Sequence, residues 1–195
     1  MITKRIESFA KYAGIATVSV EWLALFLYYI QMPAYFGGKY PISYFAYLPQ
    51  TRLIFIICYT LAGTFFWIFI RHHLHKHYRA PINVFAFSMI LFVALAMVPF
   101  NPTNTISSTI HSTLGWSSAI FFLVGMFVLA KNAQNKHIYR GTLLAMIFST
   151  ILVVTFANIS KESPFIFALE AGSWFIWQIW VLWISFYSYN HKLSQ

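Results

Sequence analysis

Ser43, His111 and Glu170 are the residue types of a nucleophile, a base and an orienting acid. Arranged within hydrogen-bond reach, such a set would support an intramembrane lipid hydrolase or acyltransferase. The chain has no Gly-x-Ser-x-Gly nucleophile elbow around Ser43. His111 and Glu170 lie inside long apolar runs, as does a further acid, Glu21. An ionisable group at the centre of a bilayer costs roughly 3 kcal/mol on insertion scales, so such groups face a pocket, a partner or a pathway.

The elements that must position these groups are apolar helices. The chain of 195 residues is 59% hydrophobic and 21% aromatic, with only 9% charged residues and a mean hydropathy of +0.66. No single soluble core of this size hides so much apolar surface. Six runs are long enough to span a bilayer: 13–30, 53–70, 82–100, 107–130, 142–158 and 165–187. Breaks at 71–81, 101–104, 131–141 and 161–164 separate them. The expected fold is therefore all-α: a polytopic integral membrane protein with six transmembrane helices in one bundle, one domain over 1–195. The runs do not alternate apolar and polar residues, which argues against outer-membrane strands.

Lysine and arginine set the orientation. With the N-terminus inside, Lys4, Arg5, Lys11, Arg71, Lys76, Arg79, Lys131, Lys136, Arg140 and Lys192 face the cytoplasm, against Lys39, Arg52 and Lys161 outside. Ten against three predicts that both termini are cytoplasmic, in an inner or plasma membrane. The net charge of +9 then reflects topology and lipid headgroups rather than nucleic acid. The long outer connection, 31–52, is rich in tyrosine, and Tyr28, Tyr29, Tyr35, Tyr40, Tyr44 and Tyr47 suit the headgroup level.

In this topology His111 and Glu170 each lie roughly 8 Å or less below the outer surface, from a rise of ~1.5 Å per residue. Arg52, Asn101, Asn104 and Asn158 fall at the same level, and Ser43 lies above them. Ser107, His111, Gly115 and Ser118 form a small, polar stripe on the fourth run, suited to close helix packing. Trp174 follows Glu170 by one turn and offers the carboxyl an aromatic lid. The expected ligand-binding set is Arg52, Asn101, Asn104, Ser107, His111, Asn158, Glu170 and Trp174. Glu21 lies about 12 Å into the first run, where a hydrogen bond inside the bundle or a step in a proton path would account for it. Trp174, Trp177, Trp180 and Trp183 recur every third residue and spiral around the helix, as lipid contacts and interhelical packing require.

No cofactor or metal is expected. His111 is the one histidine within a span, so a haem lacks a pair of axial ligands. His73 and His77 would share a face if the second helix continues, yet His72, His75, Arg71, Lys76 and Arg79 surround them with basic groups and no acid completes a zinc site. Cys58, alone in the chain, can form no intramolecular disulfide.

The stretch Pro41-Ile42-Ser43, with Pro49, Arg52 and Phe55 leading into the second run, resembles the six-helix DRAM family (damage-regulated autophagy modulators) and its prokaryotic relatives of unknown function. Those proteins carry an Ile-Ser element, a Pro before the second span, a His early in the fourth and an acid in the last. Ser43, Pro49, His111 and Glu170 match, while Tyr44 stands where eukaryotic members usually have an acid. The resemblance implies a role in lipid handling.

These readings make a lipid-binding or lipid-organising protein without chemistry the leading expectation, with membrane lipids as partners. The alternatives are the hydrolase or acyltransferase above, a small proton-coupled transporter using Glu21, Glu170 and His111, and an accessory subunit bound to other membrane proteins. The transporter lacks an inverted repeat and paired broken helices.

Overall fold

The computed structural model describes residues 2–36, 40–98, 100–101, 103–159 and 165–190; for residues 2–8, 11, 77 and 188–190 it describes the backbone alone. Among these residues every regular element is helical. Six long helices follow one another: the first Ile2–Gln31, the second Pro49–Phe69, the third Ile82–Met97, the fourth Thr105–Asn132, the fifth Lys136–Asn158 and the sixth Ile166–Asn190. Five of them are long and apolar enough to cross a membrane. The third has 16 residues, about 24 Å of axis.

Neighbours in sequence are neighbours in space. Each helix packs on the next, and the sixth returns to the first, closing a ring in chain order. Short antiparallel connections make this the simplest bundle topology. Inside the ring, Phe66, Phe69, Phe85, Met126, Trp180 and Ile184 fill one half of the core. Tyr28, Phe45, Phe55 and Tyr59 fill the other half as a stack of rings. Many large apolar side chains remain outward, among them Trp22, Phe26, Leu53, Ile90, Phe127 and Phe148, as lipid solvent permits.

Helix ends follow local chemistry. Pro49 opens the second helix, where its missing N–H costs nothing. Asn104 caps the fourth through the Ser107 N–H (3.1 Å). Asn135 caps the fifth through His137 N–H and Ile138 N–H, and also accepts from the Tyr187 hydroxyl (3.2 Å), tying the fifth helix to the sixth.

Three expectations are corrected. The third helix ends at Met97 rather than at residue 100, because Val98 precedes Pro99 and takes an extended conformation (φ −102°, ψ 105°). The break expected at 71–81 is mostly helical: the second helix passes into a π-helical stretch, Ile70–Leu74, and a last α-turn, His75–Tyr78. It stops only where Arg79 adopts the left-handed region (φ 51°) ahead of Pro81. His73 is buried and stacks on Phe69 (5.4 Å), whereas the side chain of His77 lies outside the described residues, as do Lys39, Lys161 and Lys192.

The 32–48 connection is the third correction. It was expected at the headgroup level, yet its second 3-10 turn, Ile42–Ala46, buries Ile42, Phe45 and Ala46 completely. Phe45 stacks on Tyr28 at 4.7 Å, so Tyr28 is a core residue and no surface anchor. The Thr51 hydroxyl donates to the Phe45 carbonyl (2.7 Å), which pins this plug to the start of the second helix. Tyr35, Tyr40, Tyr44 and Tyr47 form a collar above it, with ring centroids 4.7–5.9 Å apart.

Candidate functional site

The stripe on the fourth helix faces the third. Ser88 and Ser118 exchange hydrogen bonds, each hydroxyl reaching the other's backbone carbonyl (2.8 and 3.0 Å). Such interhelical bonds average about 0.6 kcal/mol each in a membrane protein. One turn further, Gly115 lies beside Leu95, and near the stripe's end His111 Nδ1 meets the Val98 carbonyl at 2.6 Å. The helix that stops before Pro99 leaves that carbonyl without an intrahelical donor, and His111 supplies one.

A carbonyl only accepts, so Nδ1 carries the proton in this bond. In the neutral imidazole Nε2 is then an acceptor, and it has no protein partner among the described residues. His111 is 4% exposed and packs edge-on against Phe100.

Glu170 reaches the plug from the sixth helix. Its carboxylate accepts the Ile42 backbone N–H, and the Ser43 N–H and hydroxyl interact with it as well. These donors belong to the first turn of the 3-10 segment that follows Pro41, where an anion meets unsatisfied N–H groups. An interaction across 128 positions thus fixes the connection onto the bundle.

Between these groups opens a cavity of about 960 Å³, walled by the plug and by helices two to six. Ser43, Tyr44, His111 and Glu170 stand at one end. Phe92, Phe122, Leu123, Trp174 and Trp177 line its depth, which from His111 to Leu123 covers about 18 Å of helix axis. Among the described residues the lining contains no lysine or arginine. Ser149, 6% exposed, presents a hydroxyl with no partner among the described residues.

The structure therefore brings Ser43, His111, Glu170 and Trp174 to one cavity and leaves other candidates elsewhere. Arg52 is exposed and absent from the lining, because the inward position at that helix start belongs to Thr51. The Asn101 side chain closes a turn with Thr103 N–H (3.0 Å) and its hydroxyl (2.8 Å), and its backbone carbonyl accepts from the Ser108 hydroxyl. Asn104 is spent on the helix cap, with Ser107 as its donor. Asn158 is exposed and donates back to Val154 (2.7 Å). Ser43 engages Glu170 directly while His111 engages Val98. The nucleophile–base hydrogen bond of a Ser-His-acid relay is not formed.

Glu21 lies apart from this cavity. It is 1% exposed, and one carboxyl oxygen accepts from Gln178 Nε2 at 2.6 Å. The other oxygen, like the nearby Tyr28 and Tyr59 hydroxyls, has no partner among the described residues. Gln178 was missed in the sequence, although it continues the Glu170–Trp174 stripe at i+4. The four tryptophans divide between uses: Trp174 and Trp177 wall the cavity, and Trp180 donates to Thr142 (3.1 Å). Trp183 covers Gly141, where a Cβ would come within 2.3 Å of its ring.

Compared with models of protein families, with characterised proteins and with solved structures, the chain gives no significant match.

Proposed function

We propose that this protein binds a lipid within the bundle, without chemistry, and that its polar cavity mouth faces the outer leaflet of an inner or plasma membrane with both termini cytoplasmic. In this reading all six helices cross the bilayer, the third with help from the extended Val98. The observation that carries the proposal is the shape and polarity of the cavity: deep and aromatic-walled, with His111 and Glu170 at one end and, among the described residues, only serine hydroxyls and tryptophan N–H groups as polar side chains along its depth. Its volume lies at the upper end of the ~300–1,000 Å³ range of small-molecule sites. A segment with one polar end and one apolar end is what a lipid head and chain require.

The DRAM-like pattern supports the same reading, since Ser43, His111 and Glu170 all line this one cavity. The test is lipid extraction from the purified protein followed by mass spectrometry, for wild type and a Gly115→Leu variant. Gly115 lines the cavity, and a Cβ there stands in ordinary contact with Leu95, itself a lining residue, at 3.7 Å, so a larger side chain takes up cavity space. A stoichiometric lipid in wild type, lost in the variant, supports binding. Equal trace lipid in both refutes it.

A further inference from the structure

Resting on the lipid-binding reading, we infer that the cavity selects a single-chain amphiphile whose head is uncharged or cationic and carries hydroxyl or amine donors, and that it rejects phosphate and carboxylate heads. The inference comes from which polar atoms at the mouth are already used.

The strongest donors there are the N–H groups of Ile42 and Ser43, at the start of the 3-10 turn. The Glu170 carboxyl already occupies them. The Ser43 hydroxyl is turned to the same carboxylate. No lysine or arginine among the described residues lines the cavity, and Arg52, a cation expected there from the sequence, is exposed outside it. An entering anion would lose its water, find no counter-charge among the described residues and stand close to the Glu170 carboxyl.

Acceptors are what remain. The Val98 contact commits His111 Nδ1 as donor and leaves Nε2 as a lone-pair acceptor in the neutral ring. Glu170 has lone pairs beyond those its donors use, because a carboxylate offers about four acceptor sites. The hydroxyls of Ser112 and Tyr44 at the rim serve in either role. Desolvation pushes the Tyr44 phenol above its ordinary value of 10.0, helped by Tyr35, Tyr40 and Tyr47, so the rim stays protonated and adds no charge. Two acceptors beside uncharged hydroxyls complement a diol or amino-alcohol head.

The aromatic wall receives the tail. Phe122 on the fourth helix touches Trp177 on the sixth (5.5 Å between centroids) and Phe92 on the third touches Trp174 (6.1 Å), and the proposed tail is one chain lying along these rings.

Trp116, Trp174 and Trp177 line the cavity and report on occupancy. The full-length protein in phospholipid nanodiscs at pH 8, above the ordinary histidine pKa of about 6.5, is titrated with bromine-labelled amphiphiles of one chain length. The probes are monoacylglycerol, lysophosphatidic acid and the free fatty acid, with Gly115→Leu as the filled-cavity reference. Saturable tryptophan quenching by monoacylglycerol, at least tenfold tighter than by either anion and absent from the reference, is the expected result. Equal or tighter saturable quenching by an anion overturns the head-group selectivity and leaves lipid binding standing. No saturable quenching by any probe, or the same quenching in Gly115→Leu, overturns both. In Glu170→Gln, where the internal anion is gone, the preference against lysophosphatidic acid should shrink at least tenfold. An unchanged preference in a folded variant contradicts the role given to Glu170, and the wild-type ratio decides the selectivity if that variant does not fold.

Discussion

His111 on the fourth helix and Val98, where the third helix ends, are joined by a 2.6 Å hydrogen bond from imidazole to backbone carbonyl. One interaction closes a helix end, joins two helices at their tips and fixes the tautomer of an imidazole that lines the cavity.

His111→Ala leaves that carbonyl without a donor in a water-poor setting. Losing a buried partner costs about 1–3 kcal/mol. Reversible unfolding in mixed micelles should show a loss in that range for His111→Ala and a smaller one for His111→Gln, whose amide can still donate. Equal stability of His111→Ala and wild type would mean the bond contributes nothing.

The buried Glu21–Gln178 pair makes the opposite point, because one member can change without orphaning the other. Glu21→Gln keeps an oxygen for the Gln178 amide and should stay within about 1 kcal/mol of wild type. Gln178→Leu strips the carboxyl of its described donor and should cost about 1–3 kcal/mol. The same unfolding measurement reads both, and a costly Glu21→Gln beside a harmless Gln178→Leu would reverse the assignment.

Two glycines on the fourth helix should respond differently to alanine. At Gly125 a Cβ would come within 2.8 Å of the buried Phe85 ring, so overpacking of about 1–3 kcal/mol is expected. At Gly115 the nearest atom is 3.7 Å away, an ordinary contact, and Gly115→Ala should be neutral. Parallel thermal melts check the contrast, and equal effects would contradict the packing.

Topology is testable by thiol labelling in intact cells. In a Cys58→Ala background, an impermeant maleimide should label Thr103→Cys from outside and reach Lys136→Cys only after permeabilisation. Both positions are exposed and lie at opposite ends of the fourth helix and its flanking turns. The reverse pattern would invert the membrane orientation proposed here.

The helices were legible in the sequence because each is one apolar run ended by proline, asparagine or charge. Val98 followed by Pro99 also carried its stop signal, though hydropathy alone extends that helix to Phe100. The π-helical stretch at Ile70–Leu74 had no such signal. Depth was readable from residue counting, which placed His111 and Glu170 together. Azimuth was not: Arg52 and Thr51 share a depth, yet a rotation of ~100° sends one outward and the other to Phe45. The Glu170–Ile42 contact could not be read from spacing, because a turn of the connecting segment had to fold inward first.

The most direct test of lipid binding is an experimental structure in a native-like bilayer at a resolution that shows acyl chains. Lipid binding predicts one continuous chain of density along Phe92, Phe122 and Trp177, with its polar end at His111 and Glu170. Side chains collapsed into that space, or water alone filling it, would contradict the account.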